Sequence, residues 1–134
     1  MEIDREGLEV LDRRECLRLL GGARLGRIAV TSGALPVVMP VVGYAMDGES
    51  IVFETGRGTT LDFGTTGSVV AFEVDETDDF TESGWSVLVR GVAEVVLGPQ
   101  PGSGPDPEPW AEGVRPVTIR VPVTSISGRR VLGH

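Results

Sequence analysis

Val37 to Thr55, VVMPVVGYAMDGESIVFET, is a hairpin written in sequence. Two runs rich in β-branched and apolar residues, Val37 to Ala45 and Ser50 to Thr55, flank Asp47-Gly48. Asp-Gly supplies the positive φ that a tight hairpin turn needs. Pro40 interrupts the first run. Proline removes a ladder donor, so it marks an edge, a bulge, or a place where something other than a strand approaches.

The same period-two writing extends in both directions. Upstream, Leu25 to Val30 reads as a strand, and Thr31-Ser32-Gly33-Ala34 as the turn that follows it. Before that strand, Asp12-Arg13-Arg14-Glu15 is a capping-box pattern, with Leu11 and Cys16 at the staple positions. Leu17 and Leu20 give the helix an apolar stripe, and Gly21-Gly22 stops it.

Downstream, Gly56-Arg57-Gly58-Thr59-Thr60 leads into Leu61-Asp62-Phe63, which reads as one or two helical turns. Ser68 to Asp75 is a strand. Glu73 to Glu82 holds six acids and no base, and reads as a solvated loop. Trp85 to Leu97 is a long strand with Gly91 as its bend or bulge. Gly98 to Pro109 is a Pro/Gly-rich connection. Val117, Ile119, Val121 and Val123 alternate cleanly in a last strand ending near Ile126. About six strands, one N-terminal helix and one short inserted helix imply a mainly β domain, an antiparallel sheet curling into a barrel.

Composition bounds the chemistry. The 134 residues suffice for one domain, here 1–134. Twelve basic residues, all arginine, stand against twenty acids, for a net charge of -8. So acidic a chain is poorly suited to nucleic acid or an anionic membrane. Without lysine there is no Schiff-base or P-loop lysine. One cysteine, Cys16, forms no intrachain disulfide, and one histidine, His134, builds neither a His-based metal cluster nor an internal Ser-His-Asp triad. No apolar run has bilayer length and the N-terminus starts acidic, so the expected location is the reducing cytoplasm.

Three segments are candidates for function. Thr55-Gly56-Arg57-Gly58-Thr59-Thr60 combines glycines, hydroxyls and a fixed cation before a helix start, a pattern suited to an anion. The same residues also make an ordinary turn with N-cap threonines. Val38-Met39-Pro40-Val41 offers main chain to a planar ligand, or is an edge strand blunted against aggregation. Trp85, beside Gly84, stacks on a ring system or packs in a core or interface. Cys16 reads as a small packed hydrophobe, and Arg129-Arg130 as a surface pair or as an arginine that reaches a phosphate from the end of the final strand.

The ordered series of these pieces resembles the pyridoxamine 5'-phosphate oxidase-like FMN-binding split-barrel family, in its small actinobacterial and nitroimidazole-resistance-like branch. The pieces are Leu25-Gly26-Arg27-Ile28-Ala29, Leu35-Pro36-Val37-Val38-Met39-Pro40-Val41, Asp47-Gly48, and Ile51 to Thr55 with the glycine loop. Gly84-Trp85-Ser86-Val87, Arg90-Gly91-Val92-Ala93 and Ile126-Ser127-Gly128-Arg129-Arg130 complete it, spanning about residues 8 to 132. The resemblance implies a six-stranded Greek-key split barrel that forms a homodimer, with a flavin in the groove between subunits. It implies main-chain contacts to the isoalloxazine from Met39, Pro40 and Val41 and from Phe53, Glu54 and Thr55. It implies phosphate contacts from Arg57, Gly58, Thr59 and Thr60, and Trp85 lining the groove.

Relatives commonly carry a lysine in the phosphate loop where this chain has Thr60; Arg57 is the cation left to compensate. The expected function is that of an FMN-binding oxidoreductase, with hydride transfer between the cofactor and a small-molecule substrate. The alternative is a non-catalytic protein that binds or carries flavin, a deazaflavin coenzyme or haem.

Overall fold

The computed structural model describes residues 1–56, 67–96 and 116–133. The loop Arg57-Gly58-Thr59-Thr60, the short helix expected at 61–63 and the connection at 98–109 lie outside them. The described residues form one helix, α1 (Arg13–Gly22), and eleven strands. The strands are β1 (Glu2–Ile3), β2 (Glu9–Leu11), β3 (Leu25–Ser32), β4 (Leu35–Val42), β5 (Ala45–Asp47) and β6 (Ser50–Gly56). After these come β7 (Val69–Asp78), β8 (Ser83–Val92), β9 (Glu94–Val96), β10 (Pro116–Pro122) and β11 (Ser125–Val131).

All strand pairs are antiparallel. A seven-stranded sheet runs β1-β2-β11-β8-β7-β3-β4, and a four-stranded sheet β5-β6-β10-β9. The expected mainly β, antiparallel class holds. The strand count is higher than six because three expected strands each break where the chain passes from one sheet to the other. The run from Val37 breaks at Gly43, whose φ of 77° needs glycine. The run from Trp85 breaks at Ala93, and the last breaks between Pro122 and Ser125. β1 and β2 add two strands too short to show a period.

Two further expectations need correction. Gly91 is not the bend. It stays in the ladder opposite Val70, and a Cβ there would overlap the Pro122 carbonyl oxygen, so its smallness admits the neighbouring chain. Nor is 73–82 a loop. β7 continues to Asp78 in register with β8, and only the tip beyond it turns, with Glu82 at φ 53°. Pairing along both strands satisfies the backbone of this acidic stretch, and its side chains alternate like those of any strand.

The core lies between the sheets. Ile28, Val41, Phe72, Val74, Val87 and Val89 face Ile51, Phe53, Val117, Ile119 and Val121. Phe72 is central: its ring meets Tyr44 edge-on at 4.9 Å and Phe53 at 6.5 Å. Gly26 is glycine because a Cβ there would overlap the Phe72 ring.

Helix α1 begins as its sequence dictates. The Asp12 carboxylate accepts from the Glu15 amide at 2.8 Å, and Leu11 and Cys16 are buried as a staple. Glu15 does not close the capping box. Its carboxylate takes Arg18, three residues on, and Arg130 on β11. At the other end the Tyr44 hydroxyl donates to the Leu20 carbonyl at 2.5 Å, satisfying one of the helix's unpaired acceptors. Helix α1 packs on β8 and β11, where Gly128 leaves room for the Cys16 sulfur. Burial pushes the Cys16 thiol up, as expected of a packed small hydrophobe.

Candidate functional site

β4 is an edge of the seven-stranded sheet. Its prolines explain how. Pro36 stands opposite Thr31 and Pro40 opposite Arg27, both on β3. A proline keeps a regular antiparallel ladder intact only where its nitrogen points away from the neighbour. Residues 36, 38, 40 and 42 therefore turn their carbonyls to the free edge, with amide donors only at Val38 and Val42. The edge is richer in acceptors than in donors, which blunts it towards another strand and suits a ligand with N–H groups.

The side chains of β4 divide by face. Met39 and Val41 point inward, half-buried and buried. Pro40 is exposed on the outer face. From β6, Phe53 is a core side chain, Thr55 is buried and Glu54 is exposed. The side chains of Met39, Val41, Phe53 and Thr55 are thus turned inward and those of Pro40 and Glu54 outward. Arg57, Gly58, Thr59 and Thr60 lie outside the described residues.

Trp85 is not brought to Pro40 within one chain. It opens β8 opposite Glu76 and Arg130, half-buried on the inner face. Three ladder spacings and three residues separate the two, roughly 15 Å or more, and they leave opposite faces. The two arginines after Gly128 are not a free surface pair. Arg129 donates to Asp4 at 3.0 Å, and Arg130 to Glu9 and Glu15 at 3.4 and 3.0 Å. The physical reason is register: β11 sits between β2 and β8, so its side chains meet the N-terminal segment on one face and α1 on the other.

The outer face of the sheet carries features that were not expected. Opposed positions there include Val42 and Leu25, Val38 and Ala29, and Val69 and Val92. Val42 is 79% exposed, Val69 69% and Val38 64%. Amid these apolar residues, Arg27 donates to Glu73 at 3.4 Å and to Asp75 at 3.2 Å. The cluster lines a groove of about 290 Å³ with Ala29, Val38, Ala71 and Leu88. Burial, then the hydrogen bond and negative charge of Asp75, push the Glu73 carboxyl up to about 7 against the pull of Arg27. The signal for this cluster was present in the sequence. Val70, Phe72 and Val74 alternate with Glu73 and Asp75, so the acids occupy strand positions.

No group of three or more metal-ligating side chains occurs among the described residues, and no described helix is long and apolar enough to cross a membrane.

Known proteins match this architecture over most of the chain. An FAD-binding protein from Mycobacterium smegmatis superposes with a TM-score of 0.72 at 31% identity, covering 92% of this chain and 98% of that one. An FAD-binding protein from Mesorhizobium loti shares the fold, with a TM-score of 0.73 at 23% identity over 92% of this chain and 98% of that one. An uncharacterized protein of Mycobacterium tuberculosis, Rv0080, is 30% identical over 129 residues, which are 91% of this chain and 84% of that protein. The pattern of the pyridoxamine 5'-phosphate oxidase family matches residues 12–130, from the cap of α1 to Arg130 on β11. Two joined antiparallel sheets, a proline-marked edge and a family pattern running almost end to end agree: the chain belongs to the pyridoxamine 5'-phosphate oxidase family.

Proposed function

We propose that this chain is a flavin-binding protein of the cytoplasm that works as a homodimer, with FMN in a groove between the subunits. The observation that carries the flavin reading is the 31% identity, over 92% of the chain, to a protein described as FAD-binding. The acceptor-rich edge at Pro40 fits it. A planar ring with N–H groups finds main-chain carbonyls there that no described strand uses. Met39, Pro40 and Val41 on β4, and Phe53, Glu54 and Thr55 on β6, would supply that main chain. Arg57, Gly58, Thr59 and Thr60 would hold the phosphate, and Trp85 would line the groove from the partner side.

The homodimer reading draws on the outer face of the seven-stranded sheet. Exposed Val38, Val42, Val69, Leu25 and Val92 give it an apolar character, and no described element covers it along β3, β4 and β7. It also carries both charge signs, which suits self-association. The bound flavin would supply hydride chemistry to a small-molecule substrate. The protein would position the ring and exclude water.

The experiment is titration of purified protein with FMN, FAD and a deazaflavin, followed by absorbance and fluorescence, with Arg57→Ala and Arg129→Ala beside it. FMN binding that Arg57→Ala weakens more than Arg129→Ala does is the expected result. Arg129 is already engaged by Asp4. Equal affinity of the wild type and the Arg57 variant removes the phosphate assignment. Preference for FAD changes the cofactor, and no binding of any of the three overturns the reading. Flavin bound without turnover of any donor and acceptor leaves a carrier.

A further inference from the structure

Glu73 and Asp75 stand two residues apart on β7, so both carboxyls leave the outer face of the sheet. Both accept from the same Nη1 of Arg27. One guanidinium thus answers two carboxylates, and the doubly ionised cluster carries one uncompensated negative charge. A single proton on the pair makes it neutral.

Among the described residues no second cation bonds to either acid. Leu88 of β8 lies directly opposite Glu73, with Ser127 of β11 beyond it. Pro40 of β4 lies opposite Arg27. Ser86 lies opposite Asp75, and beyond it Arg129 is held by Asp4. Arg90 stands one row away, opposite Ala71. Arg5 and Glu6 rim the adjoining groove by Ser127 and Arg129, which shares Leu88 with this one. Arg129 shares a groove with Asp75 but is held by Asp4, and among the described residues Arg27 is the cation that donates to both acids. Around it the groove walls are alanine, valine and leucine.

We propose that a proton taken up by Glu73, beside Asp75 and Arg27, gates self-association of this chain through the outer face of the seven-stranded sheet. The inference rests on the homodimer reading above and adds its regulation. A neutral Arg27-Glu73-Asp75 cluster can be buried between two copies at small cost. The ionised cluster takes a net charge into an apolar contact, where an unpaired charge is expensive. It also sets like charges on both copies. The raised carboxyl of Glu73 places the change of state near neutral pH. Association that favours the protonated pair takes up protons, so affinity falls as pH rises.

Sedimentation of the full chain over a dilution series tests this, between about pH 6 and about pH 8.5. The expected result is a dissociation constant at least about a hundredfold higher at the upper pH, the change expected for two linked protons, one per copy, over one pH unit. Glu73→Gln keeps the shape and removes the charge. It should hold the low-pH affinity across the range. Glu76→Gln, on the opposite face of β7, should behave as wild type. A dimer equally resistant to dilution at both pH values overturns the proposal, as does a Glu73→Gln protein that keeps the full dependence. Monomer throughout, for wild type and Glu73→Gln alike, overturns the homodimer reading itself and the gate with it. Circular dichroism of each variant separates loss of fold from loss of association.

Discussion

Arg130, on the last strand, donates to Oε1 of Glu15, in the first turn of the helix, at 3.0 Å. Glu15 also binds Arg18, and Arg130 also reaches Glu9 on β2. The two ends of the chain are thereby joined through one carboxylate and one guanidinium. Hydrogen bonds from Arg18 and Arg130 pull the Glu15 carboxyl down to about 2.

That shift has a direction in pH. The folded carboxyl is depressed below its unfolded value, so its contribution is present above about 4.5 and is lost as pH falls towards 2. Glu15→Gln should therefore lower stability at neutral pH and flatten the acid limb. Urea unfolding of both proteins, at neutral pH and at about pH 3, checks it. An equal loss at both pH values would assign the effect to packing instead.

Gly128 and Cys16 share one space. A Cβ at position 128 would press on the Cys16 sulfur at 2.7 Å and on the Ser86 carbonyl oxygen at 3.1 Å. Gly128→Ala should cost about 1–3 kcal/mol by overpacking. Adding Cys16→Ala removes the sulfur and should recover part of that loss. Thermal unfolding of the two single variants and the double variant measures the coupling.

Tyr44 is the single tyrosine of the chain. Burial pushes its hydroxyl up to about 12. Near-ultraviolet absorbance should show no phenolate in the folded protein until well above pH 10, whereas in denaturant it titrates at about 10. The stability tied to the neutral hydroxyl is full below about 10 and is lost as pH rises towards 12. Tyr44→Phe removes the bond to the Leu20 carbonyl and should cost about 1 kcal/mol.

Phe72 is fully buried where the rings of Tyr44 and Phe53 converge, with Gly26 beneath it. Phe72→Ala should cost about 3–5 kcal/mol, more than any of the substitutions above. Denaturant midpoints at constant slope check the order. Gly26→Ala in the wild type should destabilise, and in a Phe72→Leu background it should cost less, because the overlapping ring is gone.

The amino-acid sequence by itself determined the elements that local chemistry controls. Asp12 and Glu15 announced the helix start, Asp47-Gly48 the hairpin, and the alternation at Val117 to Val123 the last strand. The family, too, was readable from the order of short motifs. Composition misleads where it contradicts period. Six acids between Glu73 and Glu82 look like a solvated loop, yet the strand begun by Val70, Phe72 and Val74 runs through four of them. Gly91 looks like a bend because sequence does not show that the Pro122 carbonyl presses on it.

Tertiary structure alone decided which residues meet. Strand pairing put Glu73 and Asp75 beside Arg27, 46 and 48 positions away, and made a charge cluster from residues with no local relation. It turned Arg129 and Arg130 to opposite partners, and it separated Trp85 from Pro40. The reason is physical. Caps, turns and periodicity depend on neighbours within a few residues, so they are written locally. Facing, edge position and ion pairing depend on register between distant strands, which is fixed only when the sheets close on a common core.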